Sequence, residues 1–422
     1  VTRILLLEAA GPESGALART AARQNFAVYA ATHPARYSDY PPWLREILTD
    51  WLATDFTTPD RALAEITAFA RSNRIDAVLT ASEYLTPLAA RACAALGLPG
   101  NDLGAAEAAR NKVTMAARFD RCGVDAPPTS VPHSADAAAA LTRRPGGLPC
   151  VVKPAEQAGS HGVTIAHDTD QAVEGYRRAR RLAYESTYGL SLDTRALVQP
   201  LVAGTEYSVE SITAQGRSHH VCITRKHTVA GIETGHDLPE LLPPHTRRRI
   251  LAETDKALAA LGVCNSASHT EVIVEPSGRC RIIEVGARTG AGRIGFLIGY
   301  ALGIDWWQAC IDTSLACPVE LSATRSRHAA IRFLTSSRHG TLQGLDHLPT
   351  TEPDVPEIHL RAAVGERMEP TSGNSTRLGS FITVGSTSEA LSRRADELLG
   401  TIRVRLASNA ATPPPETGVQ YT

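Results

Sequence analysis

Apolar runs and amphipathic stretches alternate through the first hundred residues of the chain. RILLLEA (3–9) and FAVYAAT (26–32) read as strands, with a helical pattern between them over about 14–23. A second helix over 60–72 precedes the strand IDAVLTA (75–81), and a third, 85–96, stops at Gly97 and Gly100. This strand–helix rhythm predicts a parallel sheet with helices on both faces. The next periodic stretch, 105–123, reads as one helix containing Lys112, and prolines then hold VDAPPTSVP (124–132) extended. LPCVVK (148–153) is a short strand ending at Lys153, the loop PAEQAGSHG follows, and VTIAHD (163–168) returns. A helix over 170–185 leads to the strand RALVQPLV (195–202). Strands at 207–213 and 219–228, a polar loop at 233–245 and a helix at 247–261 come next. Beyond 323, three strands, an amphipathic helix from 388 and a last strand read as a small α+β appendage.

The most chemically pointed stretch is 268–293, SHTEVIVEPSGRCRIIEVGARTGAGR. Two apolar strands flank a turn rich in turn-formers. A four-residue loop, 276–279, sets Glu275 opposite Cys280 and Glu271 opposite Glu284. Opposed residues on antiparallel strands have Cβ atoms roughly 4.5–5.5 Å apart, and like charges there repel. Two such carboxylates call for a cation between them, and Mg²⁺ or Mn²⁺ suits oxygen ligands. Arg288 follows on a glycine-rich chain able to approach a ligand closely.

Composition narrows the reading. A chain of 422 residues exceeds one core and divides into several domains. Its net charge of −1 gives no electrostatic footprint for nucleic acid or an anionic membrane. No apolar run reaches the roughly 20 residues of a membrane span. Eight cysteines without a CxxC pair suit a reducing cytoplasm. The first loop is not GxGxxG and the dipeptide Gly-Lys is absent, so neither a dinucleotide fingerprint nor a P-loop is present. His219, His220, His227, His236 and His245 match no zinc spacing. Of 43 basic residues only Lys112, Lys153, Lys226 and Lys256 are lysine, which marks each as a place for a compact ammonium.

Two further stretches suit a nucleotide. A strand–glycine-rich loop–strand unit with Lys153 at its lip, and Gly159, Ser160 and Gly162 in the loop, suits a polyphosphate, whose oxygens meet backbone N–H groups and the ammonium. Gln199, Pro200, Leu201 and Val202 form a hinge in which Pro200 costs nothing if its carbonyl and the Val202 N–H face an adenine edge. Glu206, after the Gly204 turn, is placed to accept ribose hydroxyls.

In this order, Lys112, VVKPAEQAGSHGV, VQPLVAGTEYSVE, HTEVIV and IIEVGARTGAG resemble the ATP-grasp superfamily, and the loop chemistry is similar to that of L-amino-acid ligases. The resemblance spans about 1–405. It implies an α/β and α+β multidomain protein. A Rossmann-like domain would occupy 1–105, a central part 106–202 with its lid at about 146–202, and a catalytic part 203–322. An α+β subdomain would follow at 323–406, with a disordered tail at 407–422. It also implies ATP and two Mg²⁺, with Mn²⁺ as a substitute. Lys112 and Lys153 would hold phosphates, the 159–162 loop would close over them, and residues 199–202 and Glu206 would hold adenine and ribose. Glu271 and Glu284 would ligate metal, and His236 and Arg288 would lie at the reacting carboxylate and acyl-phosphate. The implied partners are small molecules, an amino acid or related acid plus an amine, in the cytoplasm, with a homodimer left open.

The sequence departs from the commoner Glu-x-Asn-x-Arg motif, since Gly286 stands in the middle. Gly292 lies where a large side chain would narrow the acceptor pocket. Two other readings stand beside the amide-forming ligase. One is a ligase acting on a nucleotide or purine precursor, which would need a basic phosphate-recognition loop near the N-terminus. The other is a silent nucleotide-binding module, against which the joint presence of Lys153, Glu271, Glu284 and Arg288 argues.

Overall fold

The computed structural model describes residues 1–229, 231–371 and 373–407; the tail expected to be disordered lies outside them from residue 408. The N-terminal part runs β1 (Arg3–Leu7), α1 (Pro12–Arg23), β2 (Ala27–Thr32), α2 (Pro34–Ser38), α3 (Pro42–Ile47), β3 (Leu48–Ala53), α4 (Pro59–Asn73), β4 (Ala77–Leu79) and α5 (Thr86–Leu96). Its parallel sheet has the order β3-β2-β1-β4. The pattern of hydrophobic residues missed β3 because this edge strand has no fully buried position. Its Trp51 instead stacks on Tyr37 at 3.9 Å.

The expected helix at 105–123 is two helices, α6 (Leu103–Arg110) and α7 (Lys112–Cys122). Asn111 leaves helical geometry and its side chain caps α7, accepting from the N–H groups of Val113 and Thr114. After α8 (Ala135–Thr142), β5 (Cys150–Pro154), β6 (Thr164–Ala166), α9 (Thr169–Arg181) and β7 (Ala196–Pro200) form a three-stranded sheet, β6-β5-β7, with α8 and α9 packed together on it. Helix α9 ends four residues before the expected 185. The irregular segment after it lays Tyr188 against Phe56 of the N-terminal part, ring centroids 5.7 Å apart.

The body contains β8 (Thr205–Ala214), β9 (Arg217–Val229), β10 (Ile232–Leu238), α10 (Pro244–Leu261), β11 (Ser266–Val274), β12 (Cys280–Gly286), α11 (Ile294–Leu302) and α12 (Trp306–Ser314). The C-terminal part adds β13 (His328–Leu334), β14 (Gly340–Asp346), β15 (Glu357–Leu360), β16 (Arg367–Met368), β17 (Gly379–Gly385), α13 (Ser388–Thr401) and β18 (Arg403–Ala407). One eight-stranded sheet, β12-β11-β8-β9-β10-β13-β17-β15, runs through both. The C-terminal part is therefore no separate appendage. Three of its strands continue the body's sheet, and only β16-β14-β18 stand apart. Its seam is locked by Arg332, 2% exposed, which donates to Asp237 on β10 and Asp396 on α13, each at 2.6 Å.

Residues 233–238, expected in a polar loop, belong to strand β10. Its Glu233 and Asp237 are ion-paired inside the fold, so the strand gives no hydrophobic alternation to read. Helices α11 and α12 share an apolar core with β1, β2 and β13, which seats the N-terminal sheet on the body. Among the described residues no single helix is long and apolar enough to cross a membrane.

Candidate active site

A cavity of about 540 Å³ opens where the three parts meet. One wall comes from the C-terminal ends of β1 and β4, through Ala10, Glu13, Ala81 and Glu83. The strand order reverses between these two strands, and open α/β sheets bind ligands at such a switch point. The opposite wall is the face of the large sheet carrying Glu206, Lys226, His236, Glu271 and Glu284. The β5–β6 loop with Gly159 and Ser160 roofs it.

Glu271 and Glu284 are opposed, as the sequence suggested, but by a different route. The turn pairs Val274, not Glu275, with Cys280, because the N–H of Glu275 closes a five-residue loop on the Arg279 carbonyl at 2.9 Å. A bulge between Glu271 and Val272 then restores the Glu271–Glu284 pairing. Each carboxylate already has a protein cation. Lys112 Nζ lies 2.9 Å from Glu284, and Lys226 Nζ lies 2.5 Å from Glu271.

Lys226 is the electrostatic centre of the wall. Its ammonium, with a side chain 2% exposed, is also 2.7 Å from Glu206 and 2.9 Å from Glu233. Burial would lower its pKa, but the three carboxylates hold it well above the ordinary value. One ammonium does not serve three carboxylates equally. Burial pushes all three up. Glu233 also has Arg377 at 2.9 Å, and Glu271 also has His269 at 3.6 Å, so both are held well below the usual carboxylate range. Glu206, paired among the described residues with Lys226 only, is raised by its burial. His269 is in turn pulled up to about 10, against its burial, by the fully buried Glu210 at 2.8 Å.

Lys153, on β5, makes no ion pair among the described residues; burial lowers its pKa. Lys112 heads α7 and donates to the Gln157 carbonyl at 2.8 Å as well as meeting Glu284. The Gln199 amide donates to Thr129 at 2.8 Å, and Pro200 ends β7, where the edge asks for no N–H. The Leu201 N–H is taken by the Pro149 carbonyl, while Leu201 and Val202 line the cavity.

Arg288 reaches across to the N-terminal wall, its Nε 2.5 Å from Glu83. Burial would weaken its charge, but Glu83, with Glu284 and Glu13, more than compensates and its pKa is raised. Gly286 faces the same pair: a Cβ there would lie 3.3 Å from Glu83 Oε2. His236, 1% exposed on β10, packs edge-on against Phe333 at 5.3 Å, and its Nδ1 has no hydrogen-bond partner among the described residues. Burial drives its pKa down to about 3, so the ring is neutral. Gly292 lies against this ring, since a Cβ there would sit 2.9 Å from His236 Nε2.

The cavity thus gathers every residue that the resemblance assigned to nucleotide, metal or reacting groups except Gly162, which sits just behind the loop tip against Pro154 and Leu182; Gly292 and Lys256 are not on its lining. Sequence reasoning missed Glu83, Glu233 and His269 as site residues. The scarcity of lysine marked Lys226 without assigning it a role, and ETGH placed Glu233 three residues before His236, but nothing local pointed to Glu83. As a metal site, the pair Glu271 and Glu284 offers hard, oxygen-only donors. That fits Mg²⁺, which binds through one or two carboxylates and completes its shell with phosphate oxygens and water.

Family models match in chain order: the ATP-grasp N-terminal domain at 21–100, the ATP-grasp domain at 147–296 and the L-amino acid ligase C-terminal domain 2 at 332–407. The first two cover more than half of the chain. Alanine–anticapsin ligase of Bacillus subtilis is 29% identical over 279 residues, 62% of this chain. That match spans only 59% of the relative's own length. Dapdiamide A synthase of Enterobacter agglomerans is 28% identical over 54% of each chain. The solved L-amino acid ligase from Bacillus licheniformis superposes with a TM-score of 0.82 at 21% identity, covering 97% of this chain and 99% of that one. Phosphoribosylglycinamide synthetase from Anaerococcus prevotii reaches 0.72 at 19% identity, covering 96% and 100%, a likeness of fold. The chain belongs to the ATP-grasp superfamily and carries the C-terminal domain of the L-amino acid ligases.

Proposed function

We propose that the protein is an ATP-dependent carboxylate–amine ligase. It joins an amino acid, or an analogue, to an amine through an acyl-phosphate, with release of ADP and phosphate. The observation that carries this reading is Lys153, without an ion-pair partner among the described residues, in one cavity with Glu271, Glu284 and Arg288. Such an ammonium beside two carboxylates is a place for phosphate and its metal. Lys153 and Lys112 take the phosphates under the loop of Gly159, Ser160 and Gly162. Gln199 to Val202 hold the adenine, and the free side of Glu206 holds the ribose. Glu271 and Glu284 hold Mg²⁺, which when bound offsets charge between the nucleotide and the incoming carboxylate.

The remaining residues set the acyl chemistry. Arg288, kept cationic and aimed by Glu83, faces the carbonyl oxygen where charge develops. His236, neutral, receives the substrate without adding charge. Glu83 and Glu233 are offset by Arg288, Lys226 and Arg377, and Glu13, with no ion pair among the described residues, is the carboxyl left on the substrate side to meet an ammonium-bearing substrate. That side bears no lysine or arginine from the N-terminal wall, which disfavours a phosphorylated purine precursor. A screen of amino-acid pairs for phosphate release, with mass detection of products, tests the reading. Binding of ATP without cleavage in the presence of any acid would leave a silent module instead.

A further inference from the structure

Glu83 and Tyr84 are neighbours on one short 3₁₀ turn, Glu83–Leu85, pinned to the N-terminal core by Leu85, 1% exposed. Glu83 holds Arg288. Tyr84 points the other way, into the roof. Its hydroxyl accepts from the Ala158 N–H at 3.2 Å and donates to Gln157 Oε1 at 3.3 Å, both in the β5–β6 loop. The ring is backed by the Arg110 guanidinium 4.4 Å from its centroid, and Arg110 also donates to the Glu156 carbonyl. Burial raises the phenol's pKa, which keeps it a donor.

We propose that Tyr84 is a positioning residue that latches the closed loop to the turn anchoring Arg288, so that the acyl-phosphate forms only under a sealed roof. This rests on the ligase reading. The acid's carboxylate oxygen attacks the γ-phosphorus and ADP leaves. The amine nitrogen then attacks the acyl carbon, phosphate leaves, and the nitrogen gives up a proton, forming the amide. If the roof lifts between these steps, water attacks instead, and the products are the original acid and phosphate. One ATP is then cleaved with no amide made. A latch sharing its turn with the Arg288 anchor ties the order of these events to one rigid element.

Tyr84→Phe removes the hydroxyl and keeps the ring on Arg110. With an acid–amine pair that the wild-type protein joins, ADP and amide are measured together. The wild type is expected to give about one ADP per amide, and the variant several, by roughly three- to tenfold, the scale of one lost buried hydrogen-bonding group. A merely structural defect would slow both products equally and leave the ratio unchanged; that result overturns the proposal. A second arm needs no turnover: amide hydrogen exchange over residues 155–163 should quicken by a similar factor in the variant, and unchanged exchange also overturns the latch. Should the wild type cleave no ATP with any acid, the ligase reading falls and this role for Tyr84 falls with it, whatever the exchange data show about the hydrogen bonds.

Discussion

Glu271 and Glu284 face each other because Ile283 is an extra residue in β12: the turn alone would set Glu271 against Ile283, and the bulge brings Glu284 beside Ile283 on the cavity side, while Ile282 and Val285 stay in the core. The bulge re-aims one carboxylate into the cavity, a device common beside functional sites. Glu284→Gln keeps the volume and removes the charge. Turnover should fall below detection with the melting temperature nearly unchanged. Near-normal Mg²⁺-dependent phosphate release would rule out a two-carboxylate site.

Lys153→Ala should weaken ATP far more than adenosine, because the ammonium has no ion-pair partner among the described residues and is assigned to phosphate. Calorimetric titration of both ligands decides, and equal losses would refute the assignment. Lys153→Arg should fail as well, since a planar fork does not replace a point charge on a packed strand.

Lys226→Met should strip three carboxylates of their shared cation. A loss of about 3–5 kcal/mol is the scale for breaking a buried pair from one side. The stranded carboxylates take up protons more readily, so the deficit against wild type should shrink from pH 8 to pH 5. A constant gap across that range in thermal melts would contradict the clustered arrangement.

His236 titrates at about 3 in the folded protein, against roughly 6.5 in an unfolded chain. Below pH 6.5 the unfolded state binds a proton the folded state refuses, so this histidine's contribution is intact above about 6.5 and is lost as pH falls towards 3. His236→Gln should lack that component, and its curve of melting temperature against pH should be flatter over this window. Parallel curves would show that the ring is not buried neutral.

Arg288→Ala should cut hydroxylamine trapping of the acyl group by about 10²–10³-fold, the cost of one well-aimed donor. Glu83→Gln should lower trapping by less, because Arg288 keeps its charge and loses only its tether. Equal damage from both would mean that Glu83 acts on substrate directly.

Much of this was legible from local pattern. The first sheet's strands at 3–9, 26–32 and 75–81, the hairpin and its opposed glutamates, and the order of the nucleotide stretches all follow from residues near one another. What stayed hidden depends on distance. Glu83 meets Arg288 across 205 positions. The break at Asn111 shows only once residues 110–112 are seen reaching the roof at 155–157. Strand β10 is polar because its partners, Lys226, Arg332 and Arg377, are supplied by other elements.

The seam between β10 and β13 bears on where this protein can be cut. A chain ended near residue 322 would leave the strand of His236 as an open edge with unpaired N–H and carbonyl groups, and would strand Asp237 without Arg332. Such a fragment is a template for self-association, not a smaller enzyme. Residues 328–407 are thus no more detachable than the middle of the sheet they complete, and fusion or truncation work on this chain has to keep β13 through β18 intact.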